Sequence, residues 1–314
     1  MMKNESLAEA LIRMESMDNW QHFVEDAWIR MSQAAKIYFN DDGTLPRDWL
    51  IASKDNQPFF GWWGWITYPF PELKSRYEFL KSRQIEFDEP DYVGLSRWGS
   101  TDWAWTRSEE LREYENNISP ITATIAASLV SSFEELKINF ADLKSVVHWG
   151  PGSGNYTLVM RHLGARHTEY LVDIPLVSVM QYEFLSKSFE EFGYGEVNFI
   201  TCEDDEIVEG IPNVVPLPFV HKIPQGHDIF MAFHSLNESS VDSQKYVIEE
   251  KNWFDSDICL LSWTENLMEN IDSVLYPWGS GSGNWKNIVD KLLEEGTLHH
   301  PTFPQNDYSW MKNN

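Results

Sequence analysis

The sequence predicts an α/β fold in which a mostly parallel β-sheet carries helices on both faces, preceded by an N-terminal helical domain. Two patterns support this prediction. From residue 142, short apolar stretches alternate with helical ones, which is typical of βαβ units and a parallel sheet. Before residue 142, apolar residues recur at helical spacing between aromatic loops. The change of pattern places a boundary between a Trp-rich helical domain, residues 1–141, and a sheet-containing domain, residues 142–314.

Two segments of the N-terminal domain have helical signals. Residues 5–39 carry apolar side chains every three or four positions. A later helix is predicted from Ser119 to Leu136, because Ser119 can cap its start and Pro120 suits its first turn. The loops between these segments hold six of the tryptophans in two groups, and such side chains serve either as hydrophobic core or as stacking faces for a sugar ring. The groups are Trp62, Trp63, Trp65 and Trp98, Trp103, Trp105.

The sheet-containing domain divides into alternating strands and helices. The predicted strands are Ser145–Trp149, Glu169–Val172, Val197–Thr201, Asp228–Phe233 and Asp257–Ser262. The predicted helices cover residues 154–163, 176–192, 237–251 and 284–295. The tail over residues 297–312 is expected to add a final pair of edge strands.

Charge and cysteine content exclude several classes of protein. The chain has 24 Lys and Arg against 49 Asp and Glu, a net charge of −25 that repels phosphate backbones and anionic lipids. We therefore expect no nucleic-acid partner and no membrane partner. Two cysteines cannot form a disulfide framework or a cysteine zinc site. No apolar run reaches the ~20 residues of a membrane span, and the N-terminus lacks a signal-peptide pattern, so a cytoplasmic location is expected.

The strongest local signal is a glycine turn between a strand and a helix, SVVHWGPGSGNYTLVM, residues 145–160. Its glycines allow a tight turn and close approach of a ligand, and the helix that follows offers free N–H groups. Asp173 ends the next strand, 23 residues after Gly150, where an acid can accept hydrogen bonds from ribose hydroxyls. A helix N-cap role for Asp173 before Pro175 is compatible with that contact. Together these features predict an adenosine-containing cofactor.

The pattern of the turn resembles that of class I S-adenosylmethionine-dependent methyltransferases. It is GxGxG, with Asn155 where a dinucleotide fingerprint has glycine. The family usually has an acid two residues before the first glycine, and this chain has His148 there. Residues 170–185 and 228–248 are similar to segments of putative sugar O-methyltransferases. The resemblance implies a Rossmann-like methyltransferase sheet, S-adenosylmethionine as cofactor with S-adenosylhomocysteine as product, and a small acceptor such as a sugar or nucleotide-sugar.

Two arguments give the candidate site residues. One is the resemblance, and the other is that open α/β sheets bind ligands at the carboxyl ends of their strands. The expected cofactor contacts are His148, Gly150, Pro151, Gly152, Ser153, Gly154, Asp173, Ile174, Thr201, Cys202, Glu203, Phe233, His234 and Ser235. The expected acceptor contacts are Arg97, Trp98 and Trp263. No spacing of Asp, Glu and His is typical of a metal site, so no metal is expected.

Methyl transfer to a hydroxyl requires in-line geometry and a base that removes the hydroxyl proton. His234 is the first candidate, because an ordinary imidazole accepts protons near neutrality. Glu238 is the second, as a base or as the group that orients the imidazole. His148 is a rival base. The structural alternatives are a hydrogen-bonding His234 at a strand end and a Glu238 that only stabilises a helix N-terminus.

Two other functions compete with methyl transfer. An NAD(P)-dependent sugar oxidoreductase or epimerase is disfavoured by Asn155 and by the absence of a Tyr-x-x-x-Lys pair. A non-enzymatic carbohydrate-binding protein with a degenerate cofactor turn is favoured by His148. The sequence leaves open the acceptor, the hydroxyl that is methylated, and whether the chain forms a homo-oligomer.

Overall fold

The structure is a computed structural model of the chain. It describes residues 5–24, 28–29, 70–85, 120–152, 154–233, 235–236, 239–264, 297–299 and 307–313. Among these residues, no helix is long and apolar enough to cross a membrane. The tryptophan groups near residues 62 and 98 and the predicted helix over residues 284–295 lie outside them.

Three helices are described before the sheet: α1 (Leu7–Glu15), α2 (Phe70–Ser82) and α3 (Pro120–Leu136). The third matches its predicted range. The first begins the segment with helical spacing over residues 5–39, and a 3₁₀ turn follows at Gln21–Phe23. Residues 28–29 are again helical, while residues 25–27 and 30–39 lie outside the described residues. Between these helical parts the Asn19 amide donates to the carbonyl of Pro218 at 2.9 Å.

The sheet region follows the predicted alternation. Its elements are β1 (Ser145–Trp149), α4 (Asn155–His162), β2 (Thr168–Asp173), α5 (Pro175–Phe192), β3 (Asn198–Phe199), β4 (Pro212–Pro216), β5 (Ile229–Phe233), α6 (Val241–Lys245), β6 (Ile258–Thr264), β7 (Thr297–His299) and β8 (Asp307–Asn313). The α6 helix starts later than predicted, because Ser240 caps it by accepting from the Ser243 N–H, and a π-helical turn continues it over Tyr246–Glu250.

The described strands form one sheet in the order β3-β4-β2-β1-β5-β6-β8-β7. All neighbouring pairs from β3 to β6 are parallel, and β8 runs antiparallel to both of its neighbours. The order reverses at β1, which lies between β2 and β5, as in a doubly wound sheet. This mostly parallel sheet with helices on both faces confirms the predicted Rossmann-like fold class.

One strand was missed, and the predicted tail strands were found. The β4 strand was not predicted, although it pairs with β2 along its whole length and is buried. The tail strands form a pair at one edge of the sheet, as predicted, with β7 outermost and β8 between β6 and β7. The β8 strand uses the free edge of β6, where its hydrogen bonds extend over all seven residues of both strands.

Two hydrophobic clusters lie on the two faces of the sheet. In β5, Phe230 and Ala232 belong to the first cluster, whereas Ile229 and Met231 belong to the second. The first cluster includes apolar residues of α1 and α5, and the second includes residues of α2 and α3. The described N-terminal helices therefore pack directly on the sheet. The domain boundary at residue 142 stays a prediction.

Candidate functional site

The glycine turn lies at the point where the strand order reverses. It leaves the carboxyl end of β1, and the Gly150 N–H donates to Val172 O on β2 at 2.7 Å. The other side of the turn faces the segment that follows β5. Open α/β sheets bind their ligands in the crevice at such a point. The turn that the sequence singled out therefore occupies the position at which a ligand site is expected.

All three glycines of the turn have left-handed backbone angles, with φ of +62° at Gly150, +60° at Gly152 and +86° at Gly154. A Cβ on Gly150 would lie 2.3 Å from Ser235 Cβ, and one on Gly154 would lie 3.0 Å from Leu185 Cδ1. Glycine is needed there for the fold as well as for any ligand. The turn is wedged between the segment after β5 and helix α5.

The carboxyl group of Asp173 is bound to the turn. Its Oδ2 accepts from the Gly152 N–H at 3.2 Å and from the Gln181 amide at 3.1 Å, and its Oδ1 accepts from the Ile174 N–H at 2.8 Å. Burial raises the pKa of Asp173 to about 7, and the three hydrogen bonds oppose that rise. Asp173 therefore changes charge in the neutral pH range, and it is partly exposed at the end of β2.

His148 is fully buried at the end of β1, with 0% of its surface exposed. Its ring makes edge-to-face contacts with Tyr156 and Phe233, whose rings stack at 4.4 Å between centroids. Neither ring nitrogen has a hydrogen-bond partner among the described residues. Burial lowers the pKa of His148 to about 4, and the charge of Glu169 opposes this. The imidazole is therefore neutral at pH 7, and no described residue bonds to either nitrogen.

A polar loop follows β3 at the same edge of the sheet. The carboxylate of Asp205 accepts from the N–H groups of Thr201 and Cys202 at 2.8 and 3.0 Å, and from the Thr201 hydroxyl at 2.9 Å. The Glu203 carboxylate lies 3.2 Å from His221 Nε2 at the surface. The loop is thus held by its own carboxylate, with Cys202 partly exposed.

The N-terminal segment, residues 5–24, is tied to the loops at this edge. Arg13 donates to the Thr201 carbonyl at 2.6 Å, and Asn19 reaches the loop after β4. The hydroxyls of Ser240 and Ser243, which follow β5, donate to the carbonyls of His22 and Phe23. Sequence reasoning missed these contacts, because nothing local links residues so far apart in the chain.

The structure brings the described cofactor candidates together at one edge of the sheet. These are His148, Gly150, Pro151, Gly152, Gly154, Asp173, Ile174, Thr201, Cys202, Glu203, Phe233 and Ser235. The predicted residues Ser153, His234, Glu238, Arg97 and Trp98 lie outside the described residues. Trp263 is on β6, where the structure describes the backbone. Gln181 was not among the residues predicted from the sequence. Its position two helical turns after Asp173 was the feature that could have indicated a contact with that residue.

A search for metal ligands among the described residues finds no group of three or more His, Cys, Asp or Glu side chains that could hold an ion. The polar groups of the described site are instead backbone N–H groups, the Gln181 carboxamide, the His148 imidazole, and the carboxyl and hydroxyl groups of Asp173, Glu203, Thr201 and Ser235. Such a set suits an organic ligand with several hydrogen-bonding groups.

No protein-family model matches the chain, and no curated protein matches it. Among solved structures, the Podospora anserina methyltransferase PaMTH1 with bound SAH aligns with a TM-score of 0.43 and 11% identity, over 79% of this chain and 98% of that one. PigF with SAH aligns with a TM-score of 0.41 and 14% identity, over 98% and 95%.

A third solved structure is similar at the same level. It is magnesium protoporphyrin IX methyltransferase from Synechocystis PCC 6803 with bound SAH, at a TM-score of 0.40 and 14% identity over 68% of this chain and 89% of that one. The fold class rests on the strand order and pairing described above.

Proposed function

We propose that the chain is an S-adenosylmethionine-dependent O-methyltransferase that acts on a sugar or nucleotide-sugar hydroxyl. The observation that carries the proposal is the glycine turn at the reversal point of the sheet, with the Asp173 carboxyl group bound to Gly152. This arrangement combines the GxGxG pattern with an acid at the end of β2, as the resemblance to class I methyltransferases implies. S-adenosylhomocysteine is the expected product.

The residues present fit an adenosine-containing cofactor. The turn between β1 and α4 leaves the backbone of Gly152 partly exposed, and a helix N-terminus follows the turn. Beside the turn are buried polar atoms without a hydrogen-bond partner among the described residues, namely both nitrogens of His148 and Oε1 of Gln181. Buried polar atoms are rarely left unpaired, so a ligand that reaches them gains free energy.

Each residue has a proposed role in binding. The Asp173 carboxylate accepts from the ribose hydroxyls, while Ile174 and the loop at Thr201 and Cys202 contact the adenine. His148 accepts a hydrogen bond near the methionine part, and Pro151, Ser153, Gly154, Glu203 and Ser235 complete the wall. The cofactor supplies an electrophilic methyl group when bound.

The proposed mechanism is an in-line displacement in which the acceptor hydroxyl is aligned and deprotonated. His234 is proposed as the base, with Glu238 as second candidate, and Phe233 shields the reacting groups from water. We assign acceptor contacts to Arg97, Trp98 and Trp263, and a capping role to residues 1–141. The location is proposed to be cytoplasmic. These assignments come from the sequence.

Thermal-shift titration and calorimetry with S-adenosylhomocysteine and with NAD test the proposal. We expect stabilisation by S-adenosylhomocysteine and none by NAD. Stabilisation by NAD alone overturns the proposal in favour of the oxidoreductase, and stabilisation by neither ligand favours the carbohydrate-binding alternative. Mass spectrometry of nucleotide-sugars incubated with methyl-labelled S-adenosylmethionine then tests the acceptor class, with a labelled O-methyl product expected.

A further inference from the structure

Gln181 joins the two parts of the proposed cofactor site. It lies in α5 with 0% of its surface exposed. Its amide nitrogen donates to the Gly152 carbonyl at 2.7 Å and to Asp173 Oδ2 at 3.1 Å. The Gly152 N–H donates to the same Oδ2 at 3.2 Å. One carboxamide on α5 therefore fixes the glycine turn and the end of β2 relative to each other.

The chemistry of these contacts is specific for a carboxamide. Two acceptors, the Gly152 carbonyl and the Asp173 carboxylate, face one NH₂ group, which has two protons to give. The reverse orientation of the amide would point oxygen at both acceptors, so the hydrogen-bond pattern selects the observed orientation. An apolar residue of the same length would leave both oxygens without this donor.

We propose that Gln181 is a positioning residue, which holds the Gly152 turn and the Asp173 carboxylate in the geometry that receives the ribose hydroxyls. The proposal rests on the proposed S-adenosylmethionine site and goes beyond it, because the Gln181 NH₂ group bonds to Gly152 and Asp173 and not to the cofactor. The residue acts through Gly152 and Asp173.

A consequence of this role is control over the charge of Asp173. Among the described residues, the groups that donate to its carboxyl group are uncharged: the N–H groups of Gly152 and Ile174 and the Gln181 amide. The Gln181 hydrogen bond lowers the pKa of Asp173 against the effect of burial. Without that donor, the carboxyl group holds its proton to higher pH, and less of the protein has the carboxylate that accepts from a ribose.

The test uses Gln181→Met, which keeps the length of the side chain and removes the donor. The matched control is Ser188→Ala on the same helix, where a fully buried hydroxyl donates to Phe184 O at 2.8 Å, away from the turn. Two quantities are measured for both variants and the parent. One is the titration midpoint of Asp173 in the ligand-free protein, by carbon NMR of labelled aspartate assigned with Asp173→Asn. The other is the affinity for S-adenosylhomocysteine between pH 6 and 9.

For Gln181→Met we expect an upward shift of the Asp173 midpoint and about tenfold weaker binding at pH 8, since a hydrogen bond to a charged group is lost. For Ser188→Ala we expect the parent midpoint and affinity. A Gln181→Met protein with both parent values overturns the inference. If Gln181→Met does not fold, Gln181→Glu serves instead, and its added carboxylate should move the midpoint further upward.

The two proposals fail in different ways. If the parent protein does not bind S-adenosylhomocysteine, the proposed function fails, while the ligand-free midpoint still tests whether Gln181 controls Asp173. If the parent binds and the variant binds equally with the parent pH profile, only the role of Gln181 is refuted.

Discussion

Replacing Gly150 with alanine tests how tightly the glycine turn is wedged into the fold. The residue has φ of +62°, and an alanine Cβ would lie 2.3 Å from Ser235 Cβ and 2.9 Å from Ser235 Oγ. The hydroxyl of Ser235 also donates to the Trp149 carbonyl, so this side chain is fixed. The backbone at residue 150 or at Ser235 must therefore move to relieve the contact between the alanine Cβ and Ser235.

The expected cost of Gly150→Ala has two parts. The left-handed conformation costs a non-glycine residue about 1–2 kcal/mol. Overpacking against Ser235 adds about 1–3 kcal/mol. The free energy of unfolding should therefore fall by about 2–5 kcal/mol, a large share of the ~5–15 kcal/mol of a stable domain.

Gly193→Ala is the matched control. Gly193 ends α5 with φ of +68°, and a Cβ there meets nothing within 4 Å. It should lose only the conformational part, about 1–2 kcal/mol. Urea unfolding measures both variants, and calorimetry with S-adenosylhomocysteine should show weaker binding for Gly150→Ala alone. Equal losses of stability and unchanged binding in both variants would refute the reasoning.

Three further outcomes are expected. Because burial raises the pKa of Asp173 to about 7, protonation competes with the ligand below that pH. Affinity for S-adenosylhomocysteine should be about tenfold weaker at pH 6 than at pH 8. The substitution Asp173→Asn should remove this pH dependence, as measured by calorimetry. A variant whose affinity changes with pH as in the parent contradicts the role of Asp173 as the titrating group. His148→Leu should raise the ligand-free unfolding free energy by about 1–3 kcal/mol, since it removes two buried nitrogens that no described residue bonds to, while binding weakens; lower stability in scanning calorimetry contradicts this. Glu169→Gln should lower stability by about 1–3 kcal/mol in urea unfolding, because the buried Thr157 hydroxyl loses a charged acceptor at 2.7 Å and buried Arg161 loses the favourable charge of Glu169; unchanged stability would contradict this.

The predictable parts of the fold have local signals. The apolar stretch of β1, the glycine turn and the acid at Asp173 are each visible within a few residues. The β4 strand was missed because Pro212 and Pro216 lie at its two ends, and proline argues against a strand unless it stands at a terminus or an edge. The position of β8 depends on which strand edge is free, which only the assembled sheet determines.

In the candidate site, too, residues with a local sequence signal were predictable, and residues whose role depends on tertiary packing were not. Gly150 and Asp173 were predicted from spacing alone. Gln181 could not be assigned its role, because that role depends on how α5 packs against the turn. The contact between Arg13 and the Thr201 carbonyl joins residues 188 positions apart, and no short-range pattern encodes such a pair.

The N-terminal segment, residues 5–24, has a consequence for how the protein is made. During synthesis it leaves the ribosome well before its partners, because the partners of Arg13 and Phe23 come 188 and 220 residues later. The segment must therefore wait, with Leu11 and Met14 exposed to solvent or chaperones, until the strands through β5 have been translated. Contacts of such high sequence separation form late and slowly. The edge of the sheet that holds the candidate site is thus completed near the end of folding by residues from the beginning of the chain.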